Sequence, residues 1–470
     1  MTHAELVAAT VLHLFTREWL AIAAFGIAVS SLDDLAIDGL FFFRHSWRKL
    51  VIYHRHDRAF VEDLVHPDPG WMAIIVPAWD EAAVIGTMLR DLTQRLAYPN
   101  YRVFVGVYPN DAATQAAVRG VGDDRIAMVV CSAPGPTTKA DCLNHLWYAL
   151  LADEAAAQRR FKGIVLHDAE DLVHANELSV YDHLLGPALA MVQLPVEPLV
   201  DRGSRWISGH YLDEFAELHT KDIVVREMIG AAVPSAGVAC AIERAMMGMI
   251  ADQAPGNAGP FDAACLTEDY ELGIKIKALG GRGAMVRIRG RADGAIVATR
   301  EHFPATLDGA LRQKTRWLLG IALSGWDRIG WQGGFADRYM LVRDRKAIVA
   351  ALLTLMGYAA VLLVVIDTAL RAFVPVLGLL TQLVAPGSWL ALLLAFNVFV
   401  LAWRLLMRAL YTGHAHGWRE GVRAVPRALV GNVINAAAAM RACRRYWRIA
   451  QGRETNYWDK TAHRFPQPAE

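Results

Sequence analysis

One stretch limits the architecture of this chain more than any other. Ala347 to Ile366 reads AIVAALLTLMGYAAVLLVVI, 20 residues without a charge. A helix of that length spans the hydrocarbon core of a bilayer, which is roughly 30 Å thick. Lipid offers no water to backbone N–H and C=O groups, so the segment must satisfy them internally, as a helix does. Two shorter runs join it. Ser388 to Trp403 (SWLALLLAFNVFVLAW) has 16 residues and can extend into apolar flanks. Trp19 to Leu32 (WLAIAAFGIAVSSL) gains length only by taking in Arg17 and Glu18, or Asp33 and Asp34. Hydrophobic residues make up 54% of the 470, and these three runs localise the excess.

Charges beside the runs suggest an orientation. Basic residues follow the first (FRHSWRK, then HRHDR), RDRK at Arg343 to Lys346 precedes the second, and Arg404, Arg408, Arg419 and Arg423 follow the third. The positive-inside rule then puts residues from about 44 to 346 and the C-terminal tail in the cytoplasm. The first run lacks a basic leader, so it reads as a retained anchor with an external N-terminus rather than a cleaved signal. Phe373 to Val384 is too short to span and reads as interfacial or re-entrant. Val425 to Ala442 is apolar but holds Arg427, Asn432, Asn435 and Arg441, so an interfacial helix is expected there. The net charge of +1 speaks against a polyanionic partner such as nucleic acid. The five cysteines contain no C-x-x-C pair, which suits a reducing cytosol and argues against a structural zinc site.

Between the first two runs the pattern alternates. WMAIIVP, YRVFVGVYP, RIAMVVC and FKGIVLHD read as strands, separated by the helical stretches EAAVIGTMLRDLTQRL, DAATQAAVRG and TKADCLNHLWYALLADEAAAQ. That alternation predicts an α/β domain with a mostly parallel sheet, whose ligands sit at the carboxyl ends of its strands. Polar residues collect at those ends: Asp80 and Glu81, Asn110 and Asp111, then Asp168 to Asp171. Residues from about 190 to 330 are a less regular α/β region.

Four constellations carry chemistry, each with a plain structural alternative. HDAED (His167 to Asp171) is either a solvated strand-end turn or a set of hard oxygen ligands for Mg²⁺ or Mn²⁺. In LTEDYELG, Thr267 can cap a helix that starts near Glu268, or Asp269 can serve as a general base. In LRQKTRWLLG, Gln313, Arg316 and Trp317 share one helix face. They form a buried seam, or else a sugar platform with a phosphate-pairing arginine. Lys139, near a helix N-terminus, is a surface lysine or a phosphate contact.

Taken in order, these motifs resemble the inverting family 2 glycosyltransferases of the GT-A fold, in the membrane branch that includes cellulose, chitin and hyaluronan synthases. The resemblance covers about residues 70 to 330. IIVPAWDE, YPND, TKADCLN, HDAED, VQLPV, GVACAIERAM, TED and QKTRW match the family elements in sequence. SSLDDLAIDGLFFF, LHDAEDLVHANEL and the tail YWDKTAHRFP add a likeness to the bacteriophage N4 adsorption protein B family. The resemblance implies a uridine site at Pro77, Ala78 and Glu81, with Asp111 on the base and Lys139 near the nucleotide. It implies Asp168 on the nucleotide-sugar and a metal among Asp168, Glu170 and Asp171. Glu170 is the favoured ligand there, because it lies two residues from Asp168. His167 is left to structure. Asp269, with Glu268 beside it, would be the catalytic base, and Gln313, Arg316 and Trp317 would hold diphosphate and acceptor.

The implied reaction transfers a sugar, an N-acetylhexosamine among the candidates, from a UDP donor to a saccharide acceptor. It would elongate an exported polysaccharide at a bacterial inner membrane, Mg²⁺- or Mn²⁺-dependent. Transfer of one sugar to a polyprenyl phosphate, or a non-catalytic surface receptor, are the competing readings. Three spans make a thin channel, so an export partner, such as an outer-membrane protein, or oligomerisation would complete it. The expected divisions are an anchor helix (1–43), a basic linker (44–70), a GT-A domain (71–335), two spans (336–410), and an interfacial helix with a tail (411–470).

Overall fold

The computed structural model describes residues 3–64, 66–373, 382–454 and 464–466. Most of the stretch Phe373 to Val384 and of the tail Tyr457 to Pro466 lies outside the described residues.

The chain opens with α1 (His3–Trp47) and then enters the α/β domain. There β1 (Trp71–Pro77), α2 (Ile85–Arg95), β2 (Tyr101–Val107), α3 (Ala112–Arg119), β3 (Ile126–Val130), α4 (Lys139–Ala157) and β4 (Phe161–Leu166) follow the expected alternation. These four strands pair in parallel in the order β3-β2-β1-β4. The inner strands are apolar on both faces because helices cover both. In β1, Met72, Ile74 and Val76 face one core, while Ala73 and Ile75 face the other.

The second half of the domain extends this sheet. After α5 (Glu177–Leu184) come β5 (Met191–Gln193), β6 (Val196–Pro198), α6 (Gly209–Glu217), α7 (Ile223–Met228), β7 (Cys240–Glu243) and α8 (Arg244–Asp252). Then follow α9 (Glu268–Ala278), β8 (Gly283–Met285), β9 (Thr299–Glu301), α10 (Leu307–Leu318) and α11 (Gly325–Ile329). β7 runs antiparallel between β4 and β5, β8 closes the edge beside β5, and β6 pairs with β9 in a separate two-stranded ribbon.

The remaining helices are α12 (Phe335–Phe373), α13 (Trp389–His416) and α14 (Trp418–Ala450). Among the described residues, three helices are long and apolar enough to cross a membrane: α1, α12 and α13. The first is far longer than the run Trp19 to Leu32 suggests, and it reaches the first residues of the stretch expected to be linker. The reason is ionic. Asp33 meets Arg343 at 2.5 Å and also pairs with Lys346, while Asp34 pairs with Arg404 and lies 3.3 Å from Lys346. The acidic pair therefore sits inside the helix, neutralised by α12 and α13. At the other end His13 meets Asp367 at 3.0 Å, and Arg371 meets Asp367 at 2.9 Å. At 1.5 Å per residue these two clamps stand about 30 Å apart, the thickness of a hydrocarbon core.

The helix α14 is not among the helices apolar enough to span, and it docks on the α/β domain through charge. Arg427 is fully buried, with its guanidinium on Asp213 of α6 at 2.6 and 2.8 Å and on Glu420 at 2.8 Å. Gly209 makes the room, since a Cβ there would stand 2.5 Å from the Arg427 side chain.

Candidate active site

The carboxyl ends of β1 and β4 open into a cleft that α9 and α10 also line. The turn after β4 is held by a buried charge relay. His167 meets Asp171 through Nδ1 at 2.7 Å and Glu177 through Nε2 at 2.8 Å, all fully buried. Burial alone would lower the histidine, but Glu177 and Asp171 outweigh it and raise its pKa to about 10. Both ring nitrogens therefore donate. Asp171 also accepts the Asp168 backbone N–H at 3.1 Å.

Asp171 is thus a post inside the fold, and it does not line the cleft. Asp168 and Glu170 do. Among the described residues no three His, Cys, Asp or Glu side chains converge as a metal cage. Two cleft-lining carboxylates are nevertheless the hard donor set that Mg²⁺ or Mn²⁺ prefers when phosphate oxygens and water complete its shell.

Lys139 is the first residue of α4, capped by Thr138, whose hydroxyl accepts from Asp141 N at 3.2 Å. Its Nζ lies 2.5 Å from Asp168 Oδ1. Burial opposes its charge, but Asp168, Glu268 and Asp269 together hold its pKa above the usual lysine range. A lysine so placed stays a cation and can meet phosphate.

Glu268 and Asp269 open α9, where the helix N-terminus favours negative charge. The expected Thr267 cap is absent. Thr267 Oγ1 makes no capping bond, because the side chain packs on Gly320, where a Cβ would meet it at 2.5 Å. That contact joins the TED turn to the segment just after QKTRW. Asp269 accepts from Tyr270 N at 2.7 Å. Burial, with Asp168 adding and Lys139 opposing, raises its pKa. Burial and the Asp269 charge push Glu268 up to about 7. A buried carboxyl pair of this kind holds a proton near neutrality and can release it. Gly237, at φ 80°, leaves the space that Asp269 fills.

The helix α10 presents Gln313, Arg316 and Trp317 to the same cleft. Trp317 stands edge-on to Tyr211 at 6.0 Å, and Tyr211 stacks on Phe303 at 4.6 Å. Lys314 lies behind this aromatic group, its Nζ over the Tyr211 ring at 5.0 Å and the Trp317 ring at 5.4 Å, paired with Glu214 of α6, which also accepts from Asn435 of α14 at 3.1 Å. Burial would raise Glu214, but Lys314 brings it down to about 2.

The nucleotide-side residues divide. Pro77 and Glu81 line the cleft. Ala78 is fully buried and donates its N–H to Gly106 O at 2.8 Å. Asp111 caps α3, accepting from Thr114 N at 3.1 Å and from Asp80 N at 2.7 Å. Its oxygens hold the loop after β1, and Asp111 is not on the cleft wall. Beside it Trp79 stands edge-on to Tyr108 at 5.2 Å. Sequence reading missed Glu301 and Phe303, which also line the cleft. Their stretch REHFP, an acid and an aromatic before a proline, was the available signal.

Residues 69–320 match the family described as glycosyltransferase-like family 2. The chain belongs to that family. The bacteriophage adsorption protein B of Escherichia coli K12 and the bacteriophage N4 adsorption protein B of Escherichia coli O157:H7 are each 35% identical to it over 93% of this chain. The chain spans 60% of the length of each. Among solved structures, the mannosyltransferase PcManGT from Pyrobaculum calidifontis, in complex with GDP-Man and Mn²⁺, superposes with a TM-score of 0.51 at 16% identity. That match covers 90% of this chain and 99% of the other. The α/β domain is therefore a GT-A-like fold, and the family is one of enzymes that transfer sugars.

Proposed function

We propose that this glycosyltransferase family 2 enzyme works at a bacterial inner membrane, with its GT-A domain (about 71–335) in the cytoplasm, and elongates a saccharide from a UDP-sugar. One observation carries the reading. A single cleft gathers carboxylates from the β4 turn, a carboxylate pair at the start of α9, and the Gln313, Arg316 and Trp317 face of α10. These come from three distant segments and bring metal-type donors, a base and an aromatic platform together.

The chemistry follows from the placement. Asp269 takes the proton of an acceptor hydroxyl, and that oxygen forms a bond to the anomeric carbon of the donor sugar. The bond from that carbon to the diphosphate breaks, the electron pair leaves with UDP, and a single in-line attack inverts the centre. Arg316 and Lys139 stabilise the charge on the departing diphosphate. Asp168 and Glu170 would hold a divalent cation, which when bound supplies further charge neutralisation there. Trp317 offers the acceptor ring a flat apolar face, which favours a saccharide acceptor over a polyprenyl phosphate. The spans beside the domain give a growing chain a route outward, completed by oligomerisation or an export partner.

The test is a donor panel. Purified protein with Mg²⁺ or Mn²⁺ is given UDP-sugars, UDP-N-acetylhexosamines among them, with GDP-mannose for comparison, and nucleotide release is read. Release with a UDP-sugar and a ladder of lengthening products is expected. One residue added per acceptor would refute elongation, and a lipid-linked monosaccharide would put the polyprenyl reading in its place. Full biological function in an Asp269→Asn variant would favour a non-catalytic receptor.

A further inference from the structure

A second cavity lies behind the catalytic cleft. Val196 and Phe215 line both, so they form the wall between them. Its volume is about 210 Å³, smaller than a drug-sized site and suited to a compact phosphorylated group. The walls come from β6, the turn after α6, the segment joining β8 to β9, and the end of α13.

The lining is basic. Arg287, Arg289 and Arg300 contribute to it, and among the described residues Glu197 is its one carboxylate. Glu197 is already taken by Arg300, at 3.1 Å. Arg287 donates to His219 O at 3.0 Å and to the Thr220 hydroxyl. Arg289 donates to Gly294 O at 3.0 Å and meets His414 Nε2 at 3.3 Å. The carbonyl and hydroxyl oxygens among these partners carry no charge. Burial and the neighbouring Arg289 charge lower the pKa of Arg287, with Glu197 opposing and outweighed. Burial, and then Arg287, push His219 down to about 3, so its Nδ1 accepts the Val196 N–H at 2.9 Å and adds no charge. Two guanidinium groups thus share a half-enclosed space whose one carboxylate is paired to a third arginine, and a bound dianion would relieve their repulsion.

We propose that this cavity is a binding site for a phosphorylated small molecule, separate from the catalytic cleft, with Arg287 and Arg289 as its principal phosphate contacts. Planar guanidinium forks match phosphate oxygens two at a time. The ligand is a soluble one. Arg404, which closes the ionic clamp with Asp34, precedes His414 by ten residues on α13, so the cavity sits about 15 Å along the helix from that boundary.

The site connects to the cleft by two routes. Phe215 packs on His219 at 5.1 Å on one side and on Trp317 at 6.3 Å on the other. Arg300 exchanges backbone hydrogen bonds with Leu172 at 2.8 and 3.0 Å, and Leu172 directly follows Asp171. An occupant that draws Arg300 from Glu197 therefore acts on the strand bracing the Asp168 to Asp171 turn.

The experiment is calorimetric titration of full-length protein in detergent with inorganic pyrophosphate. EDTA is present, so no divalent cation bridges the probe in the catalytic cleft. Saturable binding is expected, weakened about tenfold or more by Arg287→Gln and by Arg289→Gln, since each removes a charge-assisted pair. Glu197→Gln should tighten it, and Arg316→Gln should leave it unchanged. Arg289 is exposed, so its replacement leaves folding intact, which thermal denaturation checks. Absence of saturable binding, loss in Arg316→Gln with none in Arg289→Gln, or weaker binding in Glu197→Gln would each overturn the proposal.

Discussion

Gly237→Ala probes the placement of the proposed base without touching its chemistry. Gly237 has φ +80°, and a Cβ built there stands 2.5 Å from Asp269 Oδ2. Ordinary contact begins at 3.4 Å, so the carboxylate must retreat by about 0.9 Å. A displacement near 1 Å at a reacting group lowers the rate by about 10²-fold, which is about 2.7 kcal/mol of barrier. The alanine also sits in the left-handed region, a strain of about 1–2 kcal/mol. Gly230→Ala separates the two effects, because Gly230 has φ +77° and nothing within 4 Å of its would-be Cβ. Both variants should lower the thermal midpoint by similar amounts. Only Gly237→Ala should lower kcat by about 10²-fold, with the KM for donor near its original value. Asp269→Asn sets the floor, a loss of about 10²- to 10⁴-fold for removal of a general base. The assay is initial-rate nucleotide release at saturating donor, with denaturation curves on the same preparations. A folded Gly237→Ala protein with undiminished kcat would refute the placement of Asp269 as the base.

Other perturbations test other parts of the site and fold. Lys139 holds Glu268 and Asp269 below where burial alone would put them, so Lys139→Met should raise both carboxyl pKa values. The acidic limb of the pH–rate profile should then move to higher pH, on top of a loss at every pH from the missing diphosphate contact. The raised pKa of His167 stabilises the fold fully below 6.5, and the contribution is lost as pH rises through about 10. The thermal midpoint should therefore fall over that alkaline range, and His167→Phe should flatten the slope. Arg427→Met leaves Asp213 buried without its partner, for a loss of about 3–5 kcal/mol read by denaturant unfolding. Trp317→Ala should raise the KM for a saccharide acceptor several-fold and leave donor binding unchanged; a change confined to donor binding would remove Trp317 from the acceptor side.

How far the sequence reaches depends on the range of the interaction that decides each feature. The strands β1 to β4 were readable because their apolar runs and the amphipathic spacing of α2 to α4 are local patterns. The α9 and α10 residues were readable because a helix fixes which side chains share a face. The length of α1 was hidden, because Asp33 and Asp34 look like helix-ending charges until Arg343, Lys346 and Arg404 are brought to them from more than 300 residues away. The same holds for the acidic turn. Spacing favoured Glu170 over Asp171 as a metal ligand only by the alternation of strand side chains, yet β4 ends at Leu166 and the turn obeys no such alternation. Burial of His167 between Asp171 and Glu177 is what separates the roles. A histidine cannot stay charged inside a core unless carboxylates hold it, so two of the acids near this turn are committed to the fold. Asp168 and Glu170 remain on the cleft wall. The acidic cluster is therefore two devices in one stretch: a buried ion pair that sets the turn, and a second pair of carboxylates that the turn carries to the cleft wall.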